Sequence, residues 1–177
     1  MKRLFIKVKF VSILIAAIFG TNSYAQESDF TFKRFGGGGW TAVFDMSGGY
    51  GLGGYGEFAF LLNNKGSLQI VNHIIGKGEN IVVDGNAYGV GSITEKISFG
   101  GFLSEKFRTY AFVQGGVGFG GGNETNVLNL NFGGGGGFDL FVHKQVSICL
   151  EAGYLQHHLD NKLIGGMLIS LGIRSWF

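Results

Sequence analysis

Between Tyr50 and Leu62 the side chains alternate. Even positions carry Tyr50, Leu52, Phe58, Phe60 and Leu62 with two glycines; odd positions carry Gly51, Gly53, Tyr55, Glu57, Ala59 and Leu61. A period of two marks a strand with two unlike faces. Over 127–142, Leu128, Leu130, Phe132, Phe138, Leu140 and Val142 oppose Asn129, Asn131 and Asp139. Over 146–158, Val146, Ile148, Leu150, Ala152 and Tyr154 oppose Ser147, Cys149, Glu151 and His157. The last segment sets Met167, Ile169, Leu171, Ile173 and Phe177 against Ser170, Gly172 and Arg174. No stretch keeps a helical period over 12 residues or more.

Turn-forming clusters at 63–66, 104–106 and 143–145 divide these runs, as hairpin connections do. The pattern predicts eight strands, at 35–45, 50–62, 67–77, 87–103, 107–120, 127–142, 146–158 and 164–177. The short connections alternate with generally longer ones at 46–49, 78–86, 121–126 and 159–163. An even strand count, short turns at one end and longer loops at the other predict an all-β fold, an eight-stranded antiparallel transmembrane β-barrel of up-and-down meander type. Both chain ends then lie with the short turns, on the periplasmic side.

Two strands strain the pattern. In 67–77, Leu68, Ile70, Asn72 and Ile74 face one way and Gln69, Val71, His73 and Ile75 the other, so both faces are mixed and the facing stays open. In 87–103, Glu95 shares a face with Ile97, Phe99 and Leu103. That is tolerable near the outer interface, where a charge costs ~0–1 kcal/mol.

The start of the chain differs from the rest. Lys2, Arg3, Lys7 and Lys9 precede an apolar stretch, Val11–Phe19, and the small-x-small site Ser23-Tyr24-Ala25. This predicts a cleaved secretory signal peptide over 1–25, followed by a short periplasmic segment at 26–34 and a barrel over 35–177. Removing it takes four basic side chains and no acidic ones. The formal charge moves from +2 to −2, with 10 Lys/Arg against 12 Asp/Glu, and the basic case for a nucleic-acid partner disappears.

Composition fits a barrel. There are 34 glycines, no proline and 1 cysteine in 177 residues. A strand glycine permits curvature and close approach, and it leaves lumen volume for larger neighbours; proline would break the ladder of a closed sheet. The narrow interior of eight strands is filled by side chains. Facing charges toward lipid costs ~2–4 kcal/mol per Lys or Arg at the bilayer midplane. Glu57, Lys96, Arg108, Asp139, Glu151 and Arg174 are therefore expected to form a charge-neutral network in the lumen.

Motifs for other chemistry are thin. Two GxGxxG matches, from Gly49 and from Gly116, lie within or beside strands with no helix after them. His157 and His158 point to opposite faces of a strand and cannot share a metal; they are expected at the outer rim. Ser98, Ser147 and Ser170 have no histidine two residues away, which leaves open a pair drawn from different strands. No enzyme, cofactor or metal is expected.

The ending Arg174-Ser175-Trp176-Phe177, after Ile169, Leu171 and Ile173 at two-residue steps, resembles that of small bacterial outer-membrane β-barrel proteins of the OmpX and OmpA barrel type. The glycine-rich strands also look like those of spirochaete outer-membrane proteins. The first resemblance implies location in the bacterial outer membrane, contact with its lipid, and reading of Ile169, Leu171, Ile173 and Phe177 by the barrel-assembly machinery. Ser175 departs from the usual apolar residue, which weakens that signal. The implied function is a structural or surface-interaction role with no ligand named. The alternatives are a small pore and a soluble, lipocalin-like ligand binder.

Overall fold

The computed structural model describes residues 33–177 apart from 46–47, 66–67, 123–124 and 160–161. The expected signal peptide and most of segment 26–34 lie outside the described residues. Eight strands follow one another: β1 Arg34–Phe44, β2 Tyr50–Lys65, β3 Leu68–Val83, β4 Asn86–Ser104, β5 Phe107–Gly122, β6 Thr125–His143, β7 Val146–Leu159 and β8 Lys162–Trp176. Each pairs antiparallel with the next, and β1 pairs with β8, so the sheet closes into a barrel.

The register sets the tilt. Cross-strand partners lead from Arg34 through Phe60, Asn72, Ile97, Val113, Gly134, Tyr154 and Met167 back to β1 at Phe44, ten residues further on. A row of paired residues thus climbs around the barrel, as the ~35–45° strand tilt of such barrels requires. Reciprocal backbone bonds between Arg34 and Phe177, at 3.0 and 2.9 Å, hold the seam at the terminal end.

One expectation fails. At the end away from the termini, only the connection between β1 and β2, residues 45–49, is longer than a two-residue turn. β3 runs on to Val83, and the expected loop 78–86 shrinks to the turn Asp84-Gly85. Both residues have positive φ, +50° and +76°, the geometry of a tight two-residue hairpin. Glu79, expected in that loop, continues the period of two from Lys77, the last residue of the expected strand: Lys77, Glu79, Ile81 and Val83 are buried, while Gly76, Gly78 and Asn80 are exposed.

The facing is inside out for a soluble protein. Trp40, Ile93, Phe119, Val142 and Ile173 are among the large apolar side chains exposed on the outer wall. Four acids (Glu57, Glu79, Asp139, Glu151) and four bases (Lys77, Lys96, Arg108, Arg174) are buried in the lumen. This excludes the lipocalin-like arrangement, whose apolar face would point inward. It places the outer wall in a bilayer, since an apolar exterior of this extent has no counterpart on a soluble monomer.

The lumen is layered. At the terminal end Phe35, Ala59, Val71, Phe141 and Trp176 form an apolar plug. The Phe35 and Trp176 rings lie 4.3 Å apart, and Trp176 Nε1 donates to Ser147 Oγ at 2.7 Å. At the other end Ile81, Val83, Val90, Val127, Leu159 and Ile164 form a second plug. These plugs resolve the mixed strand: Val71 lies in the lumen with Gln69, His73 and Ile75, while Leu68, Asn72 and Ile74 face outward. Glu95 departs from expectation. It sits at the middle of β4 rather than near an interface, on the outer wall, with Asn72 Nδ2 donating to it at 2.7 Å.

Candidate functional site: a charge network inside the barrel

Closing the sheet brings together side chains far apart in sequence. β8 points Arg174 into the lumen, where its guanidinium fork meets three acids. Nε and Nη2 donate to Glu57 from β2, Nη1 to Asp139 Oδ1 from β6 at 2.7 Å, and Nη2 to Glu151 Oε1 from β7 at 2.9 Å. Lys96 from β4 donates to Glu151 at 2.6 Å and lies 3.6 Å from Glu57. Arg108 from β5 donates to Asp139 Oδ2 at 3.0 Å and to Gln69 Oε1 at 3.1 Å. All six charges expected in the lumen thus join in one network. Arginine suits its centre because a rigid five-donor fork serves several carboxylates at once.

Glycine makes the room. A Cβ on Gly137 would lie 2.8 Å from the Tyr110 ring and 2.9 Å from Glu151 Cγ. Tyr110 lies over that bare backbone and donates its hydroxyl to Glu151 at 2.8 Å, while receiving a bond from Arg174 at 2.6 Å. A Cβ on Gly172 would likewise strike the Tyr55 hydroxyl.

The network holds members that sequence reasoning missed. His73 bridges Glu57 Oε2, at 3.1 Å, and Ser98 Oγ, at 2.8 Å. An acid, an imidazole and a hydroxyl in line follow the order of a hydrolase triad. Here Ser98 and His73 have no exposed surface, Glu57 is engaged by Arg174 and Lys96, and the Phe35 ring stands edge-on to His73 at 5.2 Å. No substrate carbonyl can reach the serine, so the line serves as packing. His73 and Ser98 come from neighbouring strands, and their contact is visible only once β3 and β4 are in register, with His73 opposite Lys96.

A second polar layer lies toward the other end. Thr94 donates to Asn131 at 3.2 Å, His157 Nδ1 meets Asn129 Oδ1 at 3.3 Å, and His157 Nε2 lies 4.0 Å from Glu79. His157 is therefore a buried lumenal group, not the exposed rim residue expected, because β7 reaches Leu159 and the far plug covers it. His158 faces outward, stacked on Phe132 at 5.4 Å. Cys149 is buried, with the Tyr55 hydroxyl 3.5 Å from its sulfur. Among the described residues, no group of three or more His, Cys, Asp or Glu comes together to hold a metal ion.

Ser170 is buried in the lumen and donates to Thr41 Oγ1 at 3.3 Å; the terminal apolar residues lie on the outer wall. Ile169, Leu171, Ile173 and Phe177 are exposed in succession along β8 and the chain end, with Arg34 over the Phe177 ring at 5.2 Å.

Neisserial surface protein A has a structure similar to this chain, with a TM-score of 0.54 and 13% identity, over 82% of this chain and 96% of that one. The fold is that of the outer-membrane β-barrels. The attachment invasion locus protein Ail of Yersinia pestis aligns with a TM-score of 0.47 and 13% identity, over 81% of this chain and 98% of that one. No family model matches the sequence, and no curated protein does. The outer-membrane-type barrel is therefore recognisable in its backbone while its sequence stands apart.

Proposed function

We propose that the chain is a bacterial outer-membrane barrel with a structural or surface-interaction role and no enzymatic chemistry. The observation that carries this reading is the inside-out barrel: an apolar exterior around a lumen filled by paired charges. The barrel-assembly machinery reads Ile169, Leu171, Ile173 and Phe177 on the way to the membrane. The six-charge network acts as an internal brace that keeps a glycine-rich sheet in one register. The similar Neisserial protein is named a surface protein, which agrees with a role at the cell exterior.

A pore is the weaker reading. A water path must pass both plugs, and one of them is closed by the Trp176 ring packed against both Phe35 and Phe141. The test combines two measurements on purified, folded protein. Electrophoresis with and without boiling should show the mobility shift of a compact barrel, from material recovered in the outer-membrane fraction. Planar bilayers should show no reproducible conductance steps. An unshifted band in the soluble fraction overturns the membrane reading; reproducible steps overturn the closed lumen.

A further inference from the structure

The two ends of the barrel differ in charge. At the terminal end Arg34 opens β1 where it meets β8, Lys65 closes β2, Lys106 lies between β4 and β5, and Lys144 lies between β6 and β7. At the other end Asp45 follows β1, Asp84 follows β3, Glu124 lies between β5 and β6, and Asp160 lies between β7 and β8. Every corner of one end carries a base, and every corner of the other carries an acid. Neighbouring charges reduce the contrast without reversing it. Lys33 adds to Arg34, whose backbone is bonded to that of the terminal Phe177; Glu105 precedes Lys106, and Lys162 follows Asp160. Asp is a turn former, which accounts for part of the acidic end. Lys and Arg are not, and a closed barrel has no strand edge for lysine to protect. The bases therefore need another reason.

They stand at the margin of the apolar wall. Arg34 lies over the exposed Phe177 ring at 5.2 Å. Leu62 and Leu68 flank the corner of Lys65, Leu103 precedes Lys106, and Val142 precedes Lys144; all four apolar side chains are exposed on the outer wall. In such a position a long basic side chain lays its stem on apolar surface and keeps its charge at the boundary with water. The corners occur at every second strand, so the bases encircle the barrel rather than mark one side.

We propose that this ring holds the phosphate groups of anionic phospholipid in the leaflet at the terminal end. Lipid is the occupant because it surrounds a barrel on all sides and presents its phosphates at the level where the apolar wall stops. A folded partner would meet one side or cap the end, and would not call for a base at every corner. A base close to an anionic leaflet favours that lipid roughly fivefold per contact, the equivalent of about 1 kcal/mol. The acidic end repels the same headgroups, so the charges also set which end enters which leaflet. The inference rests on the membrane reading above.

Spin-labelled lipids test it, with the full barrel inserted in phosphatidylcholine vesicles. The fraction of label slowed by contact with the protein gives the relative affinity of each headgroup. Labelled phosphatidylglycerol should be held over labelled phosphatidylcholine by roughly twofold or more, averaged over both leaflets, at ~0.01 M salt. The two should approach parity at ~1 M salt, where the screening length falls from ~30 to ~3 Å. A variant with Arg34→Gln, Lys65→Gln, Lys106→Gln and Lys144→Gln should lose the preference at low salt. One with Asp45→Asn, Asp84→Asn, Glu124→Gln and Asp160→Asn should keep it. Equal affinities for the native protein at low salt overturn the ring alone, in protein that inserts and shows the boiling shift. So does a preference that survives ~1 M salt or the loss of the four bases, or one lost with the acids instead. Should the base variant not fold, the salt series on the native chain decides. Failure of the native chain to insert overturns the membrane reading and the ring with it.

Discussion

Arg174 and Glu57 meet across the lumen although 117 positions separate them in sequence. Two donors of the guanidinium engage the two oxygens of one carboxylate, so the first and last thirds of the described chain are tied at a buried point. The contact exists only when β8 has closed on β1.

Removing the fork should therefore cost more than removing a surface pair. Arg174→Met keeps much of the length and loses the charge, stranding Glu57, Asp139 and Glu151 around it. Breaking a buried pair from one side costs about 3–5 kcal/mol. Urea unfolding of the detergent-folded barrel should show a loss of that order, and Arg174→Lys should recover part of it. A loss below about 1 kcal/mol, typical of exposed pairs, would contradict the brace.

Glycine positions should divide by what lies over them. Gly137→Ala drives a methyl toward Tyr110 and Glu151, and overpacking of this kind costs about 1–3 kcal/mol. Gly76→Ala meets open space, and the extra side chain should leave the barrel unchanged or more stable by about 0.5 kcal/mol. The same unfolding assay reads both; equal effects would contradict the account of how glycine serves the lumen.

Phe177 separates assembly from stability. Its backbone bonds to Arg34 do not depend on its ring. Phe177→Ala should refold unaided in detergent with a normal boiling shift, while the folded protein recovered from cell membranes falls several-fold. Unchanged cellular levels would remove the assembly role of the terminal residues.

Much of this architecture was legible from alternation alone. Leu128 through Val142 and Val146 through Tyr154 show it most clearly, because one face is apolar and the other carries Asn, Asp, Ser or Glu. The strand beginning at Leu68 was not legible, for a physical reason. The lumen is polar only in its middle and is plugged by apolar side chains at both ends, so Val71 faces inward at one end and Ile81 at the other. A reading that equates inward with polar fails there. Glu79 was hidden by the same habit, since a charge beside a glycine suggests a loop. The six network charges were predictable from facing. Their partners His73 and Tyr110 were not, and the histidine for Ser98, left open as a pair from different strands, was not named, because contact across the lumen depends on register and tilt, which period two does not encode. Glu95 is the residue for which local reasoning broke down outright, since it lies on the outer wall at the middle of β4.

The central claim is that this barrel turns its apolar wall to lipid and its charges inward, and the two tryptophans of the chain allow a direct test. Trp40 is on the outer wall at 75% exposure; Trp176 is in the lumenal plug at 1%. Single-tryptophan proteins, Trp176→Phe and Trp40→Phe, can be folded into vesicles whose acyl chains carry bromine, a contact quencher. The account predicts strong quenching of Trp40 and little of Trp176. Quenching of Trp176 as strong as that of Trp40, or none of Trp40, would contradict it.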